Sequence, residues 1–324
     1  MKLISLVLFL ITITLNATEI NVKNFGAKGD GVSDDWDSFQ KALDYAYKNK
    51  DVNQIFIPNG QYKISKTIII YGSNLSIVGE SKDKTILFKN GNLGWWGDLV
   101  YICGLVPGNK YYDSKTQKEY FYKGSKVYSQ NIIIKNLSFK STSANEEINN
   151  IGIVNSNNVT IDSCNFLESS NSNIAIVNDA AKYDNNNIVI KNCIFQNAKT
   201  HNLRVLSMNT GKYNANSVSV INSRFYQTGT TNAKELRNKH VHIWYRGGVG
   251  SKNIKLTVDN CTFDKSGVIH STVNANNLVI ENSNLAGGYV ISNSAKLYPN
   301  SKVEMKNIKT DTNSSKEILG VKND

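Results

Sequence analysis

Six stretches of the chain alternate apolar and polar residues in the same way and finish on the same kind of residue. They read NIIIKNLSF at Asn131–Phe139, NNVTIDSCNF at Asn157–Phe166, NNIVIKNCIF at Asn186–Phe195, NSVSVINSRF at Asn216–Phe225, IKLTVDNCTF at Ile254–Phe263 and NLVIENSNL at Asn277–Leu285. Each is too short for a helix. Val and Ile face one way while Thr, Lys, Asp or Glu face the other, which is the period of a strand. Aligned, the stretches give a polar column of Asn136, Ser163, Asn192, Asn222, Asn260 and Asn282, and three residues later a column of Phe139, Phe166, Phe195, Phe225, Phe263 and Leu285.

Successive members of the columns lie 22 to 38 residues apart, so a fixed unit recurs with loops of differing length between copies. A unit that cannot bury its own apolar side stacks on its neighbours, which is the logic of a solenoid. The pattern therefore predicts an all-β fold, a right-handed parallel β-helix, with like residues stacked about 4.8 Å apart. Asparagine amides form a ladder at a tight turn, and the phenylalanines stack inside. A β-sandwich is the competing arrangement.

A second strand set falls between the laddered ones, at Ile151–Val154, Ile174–Val177, Asn202–Leu206, Val241–Trp244 and Ile269–Val273. Its apolar residues are Ile151 and Ile153, Ile174 and Ile176, Leu203 and Val205, Val241 and Ile243. Alternation then sends Gly152, Ala175, Arg204, His242 and His270 outward on successive coils.

The sequence divides into a leader at residues 1–17 and a single domain at 18–324. Within the domain lie an N-terminal cap and first coils (18–90), an aromatic insertion (91–130), the repeat coils (131–310) and a C-terminal tail (311–324). Met1–Ala17 opens with Lys2 and runs apolar through Leu15, which reads as a signal peptide cleaved near Ala17. The expected location is secreted or periplasmic, with no membrane attachment after cleavage. The insertion carries Trp95, Trp96, Tyr101, Tyr111, Tyr112, Tyr120, Phe121, Tyr122 and Tyr128, some to pack on the helix flank and a few to stack on sugar rings. Ahead of it, Ser33 is placed to cap a helix over Asp34–Lys48 whose Trp36, Phe39, Leu43 and Tyr47 share one face and close the end of the solenoid. Asp30, Asp34 and Asp35 are read as loop and cap residues, with a catalytic carboxylate group as the alternative.

The formal net charge is +11, which favours an acidic partner. Export argues against nucleic acid as that partner. Cys164, Cys193 and Cys261 share one repeat position beside the core column, so they read as buried thiols, a Cys164–Cys193 bridge being the alternative.

INVKNFGAKGDGVSDDWDSFQKAL at Ile20–Leu43, IFIPNGQYKI at Ile55–Ile64 and LSIVGESKDKTILF at Leu75–Phe88 are similar to the opening of pectate-lyase superfamily proteins with a rhamnogalacturonase/epimerase-like β-helix domain. Together with the repeats, the resemblance covers most of the chain after the leader. It implies the fold strongly and the reaction weakly, because lyases, hydrolases, epimerases and phage tailspikes share it. In such β-helices the groove usually lies on the second strand set. HNLR at His201–Arg204 and KHVHIWYR at Lys239–Arg246 resemble paired His/Arg segments of some polysaccharide-active members.

All four histidines, His201, His240, His242 and His270, fall on that strand set or its edge. An Arg clamps a carboxylate through paired hydrogen bonds, and a neutral His takes a proton near pH 7. The catalytic assignment is Arg204, aided by Arg246, for neutralising a uronate carboxylate, and His242 for the base, with His270 in reserve. Trp244, His201, His240, Lys239, Arg237 and Tyr226 are assigned to substrate binding, and Tyr245 or Tyr226 to the acid. The outward column lacks the two carboxylates of inverting hydrolysis, and the NTD, DD and GHG segments of polygalacturonate hydrolases are absent from the repeats. No cofactor or metal is expected. A calcium role stays open because Glu168, Asp179 and Asp184 are available, although they occur on turns without evident convergence.

The expectation is an exported protein acting on an acidic polysaccharide, foremost as a lyase by β-elimination. A non-catalytic glycan-binding or surface-recognition β-helix, a glycoside hydrolase and a uronate epimerase are the alternatives. The polysaccharide and the oligomeric state are not readable from the sequence.

Overall fold

The computed structural model describes residues 18–90, 97–103, 129–144, 146–154, 156–178, 186–207, 217–227, 241–246, 254–273, 276–293 and 302–319. Its strands form three parallel sheets of ten, ten and nine members, visited in rotation as the chain climbs a right-handed β-helix. The laddered strands build the first sheet, the short strands that follow them build the second, and the second strand set builds the third.

Both predicted columns are present. Asn136, Ser163, Asn192, Asn222, Asn260 and Asn282 all sit at φ between 49° and 57°, at the corner between the first and second sheets. Asn tolerates that left-handed conformation better than other side chains. The amide ladder is partial: Asn260 Nδ2 donates to Asn222 Oδ1 at 2.7 Å, whereas Asn192 and Asn282 donate to Asp162 and Asp259. An unforeseen second ladder runs up the other end of the first sheet, from Asn187 to Asn158 to Asn131 to Asn74, each step 2.7–2.9 Å. Inside, the rings of Phe139, Phe166, Phe195, Phe225 and Phe263 stack at 4.4–5.3 Å with interplanar angles of 3–15°.

Helix α1 (Trp36–Lys48) covers one end of the core with Phe39, Ala42, Leu43 and Ala46, while Trp36 Nε1 donates to the Thr67 carbonyl at 2.9 Å. Ser33 does not cap it: its hydroxyl donates to Asp30, and Asp35 occupies the N-cap position. Asp34 accepts from the Trp36 amide, and Asp35 accepts from the amides of Lys28 and Gly29. The three aspartates are thus loop and cap residues.

Two boundaries differ from the sequence reading. Asp98–Cys103 is a strand of the third sheet, so the repeat continues into the stretch read as an insertion. Ser315–Leu319, placed in the tail, pairs with Gly288–Asn293 in the same sheet. Cys103, Cys164, Cys193 and Cys261 are buried thiols outside any disulfide, and no Cys164–Cys193 bridge forms. The leader and insertion residues 104–128 lie outside the described residues.

Candidate functional site on the third sheet

Strand pairing fixes which side chains share a row on the outer face of the third sheet. Tyr101, Gly152, Ala175, Arg204, Trp244, His270 and Val290 follow one another on successive coils. The inner rows on either side are Ile151, Ile174, Leu203, Ile243 and Ile153, Ile176, Val205, Tyr245, all fully buried. Arg204, Trp244 and His270 are thereby adjacent in one outward row, at about 4.8 Å per coil. Arg246 lies two residues beyond Trp244 and is exposed, on the same side.

His242 is not in that row. Val241 pairs with His201 and Ile243 with Leu203, so His242 falls in the column of Asn150, Asn173 and Asn202, at the corner where the chain enters the sheet. Two consecutive residues turn inward at this corner, and simple alternation counted from Val241 assigns the wrong face. The His242 ring is fully buried and packs at an angle against both Phe225 and Phe263. Asn202 Nδ2 meets its Nδ1 at 3.0 Å, and its Nε2 lies 3.0 Å from Asp264 Oδ1. A side chain so enclosed cannot serve as the base for a polymer outside, and that assignment is corrected.

The other assigned residues divide. His201 is 7% exposed and stacks on Trp244, with ring centroids 5.0 Å apart. Burial, with the charges of Arg204 and His270 adding to it, pushes its pKa down to about 3. His270 is half-buried, and burial lowers its pKa to about 4. Both imidazoles are neutral above those values. Burial also pulls Arg204 below its ordinary value, opposed by Asp98 and Glu147. Tyr245 is enclosed in the core, where burial raises its pKa far above the usual range, so the hydroxyl is unsuited to donating a proton to substrate. Tyr226 directly follows the strand Arg224–Phe225 of the second sheet, off this face, and its carbonyl accepts from Asn202. Arg237, Lys239 and His240 lie outside the described residues.

Asp98 belongs to the face and was missed. It starts the strand Asp98–Cys103, and a Cβ built on Gly152 would collide with its carboxylate and with the Tyr101 ring, so the carboxylate lies across the next coil. Burial raises its pKa to about 6, opposed by a 2.7 Å hydrogen bond from Asn149 and by the charge of Arg204. The apolar run LVYIC at Leu99–Cys103 was the available signal. Gly152 and Ala175, which stand between Tyr101 and Arg204 in the row, are both buried.

Arg204 Nε, His201 Nδ1 and His270 Nδ1 are buried without a hydrogen-bond partner. Buried polar atoms are normally paired, so these three are exceptions to the rule beside the outward row. Among the described residues, no group of three or more His, Cys, Asp or Glu stands close enough to hold a metal, and no helix is long and apolar enough to cross a membrane.

Residues 19–312 match a family model described as "Rhamnogalacturonase A/epimerase, pectate lyase-like". Over 101 residues the chain is 37% identical to Alginate lyase 7 of Azotobacter vinelandii, covering 29% of this chain and 11% of that protein. Over 159 residues it is 31% identical to Plasmin and fibronectin-binding protein A of Streptococcus pneumoniae (strain ATCC BAA-255 / R6), covering 47% of this chain and 21% of the other. The matches thus span only 11% and 21% of these relatives' own lengths. Among solved structures, iota-carrageenase family GH82 from A. fortis superimposes with a TM-score of 0.53 at 15% identity, over 85% of this chain and 55% of that one, and so shares the fold.

Proposed function

The chain belongs to the rhamnogalacturonase A/epimerase, pectate lyase-like family, and from that premise we propose that it cleaves an acidic, uronate-containing polysaccharide by β-elimination on the outer face of its third sheet. One observation carries the reading: Arg204, Trp244 and His270 are neighbours in a single outward row. The relative named as an alginate lyase supports the reaction class. The leader-like residues 1–17 support action outside the cytoplasm.

β-Elimination needs the uronate carboxylate neutralised, the adjacent ring proton removed, and the departing oxygen protonated. Arg204 meets the first need, because a guanidinium holds its charge at any working pH and binds carboxylate oxygens in pairs. His270 meets the second, being neutral and more accessible than His201. With Tyr245 enclosed, the imidazolium of His270 returns the same proton to the leaving oxygen. The carbon–oxygen bond to the next sugar then breaks as the ring double bond forms. Trp244, resting one face on His201, offers an apolar surface to the sugar between them.

A non-catalytic recognition role is the second reading, and a specific observation favours it. Imidazoles with pKa values near 3 and 4 are weak bases in the free protein. A bound uronate would raise them, since a nearby anion favours the charged form. Incubation of the purified protein with a panel of uronate polymers separates the readings. The lyase reading predicts ultraviolet-absorbing unsaturated ends. Binding without unsaturated ends, and without altered sugars, overturns it and leaves recognition standing.

A further inference from the structure

The buried corner of the third sheet holds a chain of hydrogen bonds that the reaction does not use. Asn150 Nδ2 donates to Asn173 Oδ1 at 2.7 Å, Asn173 Nδ2 to Asn202 Oδ1 at 2.8 Å, and Asn202 Nδ2 meets His242 Nδ1 at 3.0 Å. Each amide also donates to a carbonyl one sheet back: Asn150 to Glu168, Asn173 to Gln196, Asn202 to Tyr226. Both hydrogens of the Asn202 amide are therefore committed, and His242 Nδ1 must be the acceptor. The proton then sits on Nε2, which donates to Asp264 Oδ1. Asp264 is itself anchored by the Gln227 amide at 3.0 Å and by the Ser266 amide at 2.9 Å.

The column ends here. Val241 pairs with Val268 and Ile243 with Ile269, so the next coil has no residue opposite His242 and the ladder breaks register at it. At the strand Val241–Arg246 the inward polar column is thus matched on one side only, by Asn202 on the preceding coil. Two neighbours in this strand compete for the core. Trp244 faces outward, while Tyr245 is fully buried with a hydroxyl that has no hydrogen-bond partner. A slip of one residue would free that hydroxyl and turn the indole inward, because every side chain of a strand changes face when its register moves by one.

We infer that His242 is a positioning residue: its two hydrogen bonds, to Asn202 and Asp264, pin the register of this strand and so hold Trp244 in the outward row between Arg204 and His270. The inference stands on the geometry of the corner and does not depend on the reaction. It also explains why an Asn column ends in His. An imidazole reaches from the last amide to the Asp264 carboxylate across a coil that lacks a rung, which a separate acceptor and donor on one ring allow.

Chemical accessibility reads the register directly. Single cysteines are placed at 244 and 245, as Trp244→Cys and Tyr245→Cys, in the full chain, whose four natural cysteines are buried. With His242 present, a thiol reagent should label position 244 at least roughly tenfold faster than 245. In the His242→Ala background the preference should invert or vanish. His242→Asn, which repeats the rung used on the three preceding coils, should restore at least part of it. A preference unchanged by His242→Ala overturns the inference. So does a His242→Asn protein that behaves as His242→Ala does, which also covers the case in which the alanine variant fails to fold. Nitrogen chemical shifts of the ring give an independent reading: a neutral ring protonated at Nδ1 would contradict the assignment.

Discussion

Replacing Asp98 with asparagine should make the protein more stable at neutral pH and leave it little changed in acid. The carboxyl's pKa is pushed up from 3.8 to about 6, chiefly by burial. The folded protein therefore holds this proton more tightly than the unfolded chain does. Its contribution to stability is fully present below about pH 3.8, declines as the pH rises, and is lost above about 6. A displacement of about two pH units corresponds to about 3 kcal/mol. Asp98→Asn removes the titration while keeping an oxygen to accept the 2.7 Å bond from Asn149. His201 and His270 also titrate at the acid end, with the opposite sign, but they do so in both proteins and largely cancel in the difference. Urea unfolding of the two proteins from about pH 4 to 8 measures that difference. It should widen in favour of the Asp98→Asn variant by about 1.4 kcal/mol per pH unit between about pH 4 and 6 and then level off. Parallel stability curves, or a gap that widens toward acid, would refute the account of this carboxyl.

Other expectations test the core, the corner and the face. Phe195→Ala removes a ring stacked at 4.7 Å on Phe166 and 4.6 Å on Phe225, and should cost about 3–5 kcal/mol in thermal or urea unfolding. Asn222→Ala should cost about 2 kcal/mol, because it forces a φ of 50° on alanine as well as removing the bond from Asn260. Asn222→Gly should recover the backbone part, and equal losses for the two would contradict the corner reading. His270→Ala should abolish unsaturated product while polymer binding stays within a few-fold, and Arg204→Ala should weaken both. Trp244→Ala should act mainly on binding, since stacking serves ground state and transition state alike. Full activity in His270→Ala would remove it as the base.

What the sequence made legible follows from which forces repeat. Asn192, Asn222, Asn260 and the Phe column recur because every coil meets the same corner and the same core, so a period survives loops of unequal length. His242 was misplaced because strand alternation holds along a straight segment and fails where two successive residues, such as Asn202 and Leu203, both turn into the core. Nothing local in VHIWYR announces that corner; the column of Asn150, Asn173 and Asn202 does, once the strands are in register. Asp98 was hidden by the aromatic residues around it, which outweighed the short apolar run that follows. Ser33 lost the capping position because the loop aspartates had amides of their own to bind.

The direction of the amide ladders carries a consequence of its own. On the surface, Asn131, Asn158 and Asn187 each donate back toward the preceding coil, whereas Asn150, Asn173 and Asn202 donate forward. The interior amides therefore add into a column of aligned side-chain dipoles whose positive end points at His242 and, through it, at Asp264. An anion at the positive end of aligned dipoles is favoured, as it is at the start of a helix. Burial alone would push the Asp264 carboxyl up, yet the bonds from His242, Ser266 and Gln227 carry it well below the usual carboxylate range. This corner of the β-helix thus behaves electrically like a helix terminus assembled from side chains, with the anion as its cap.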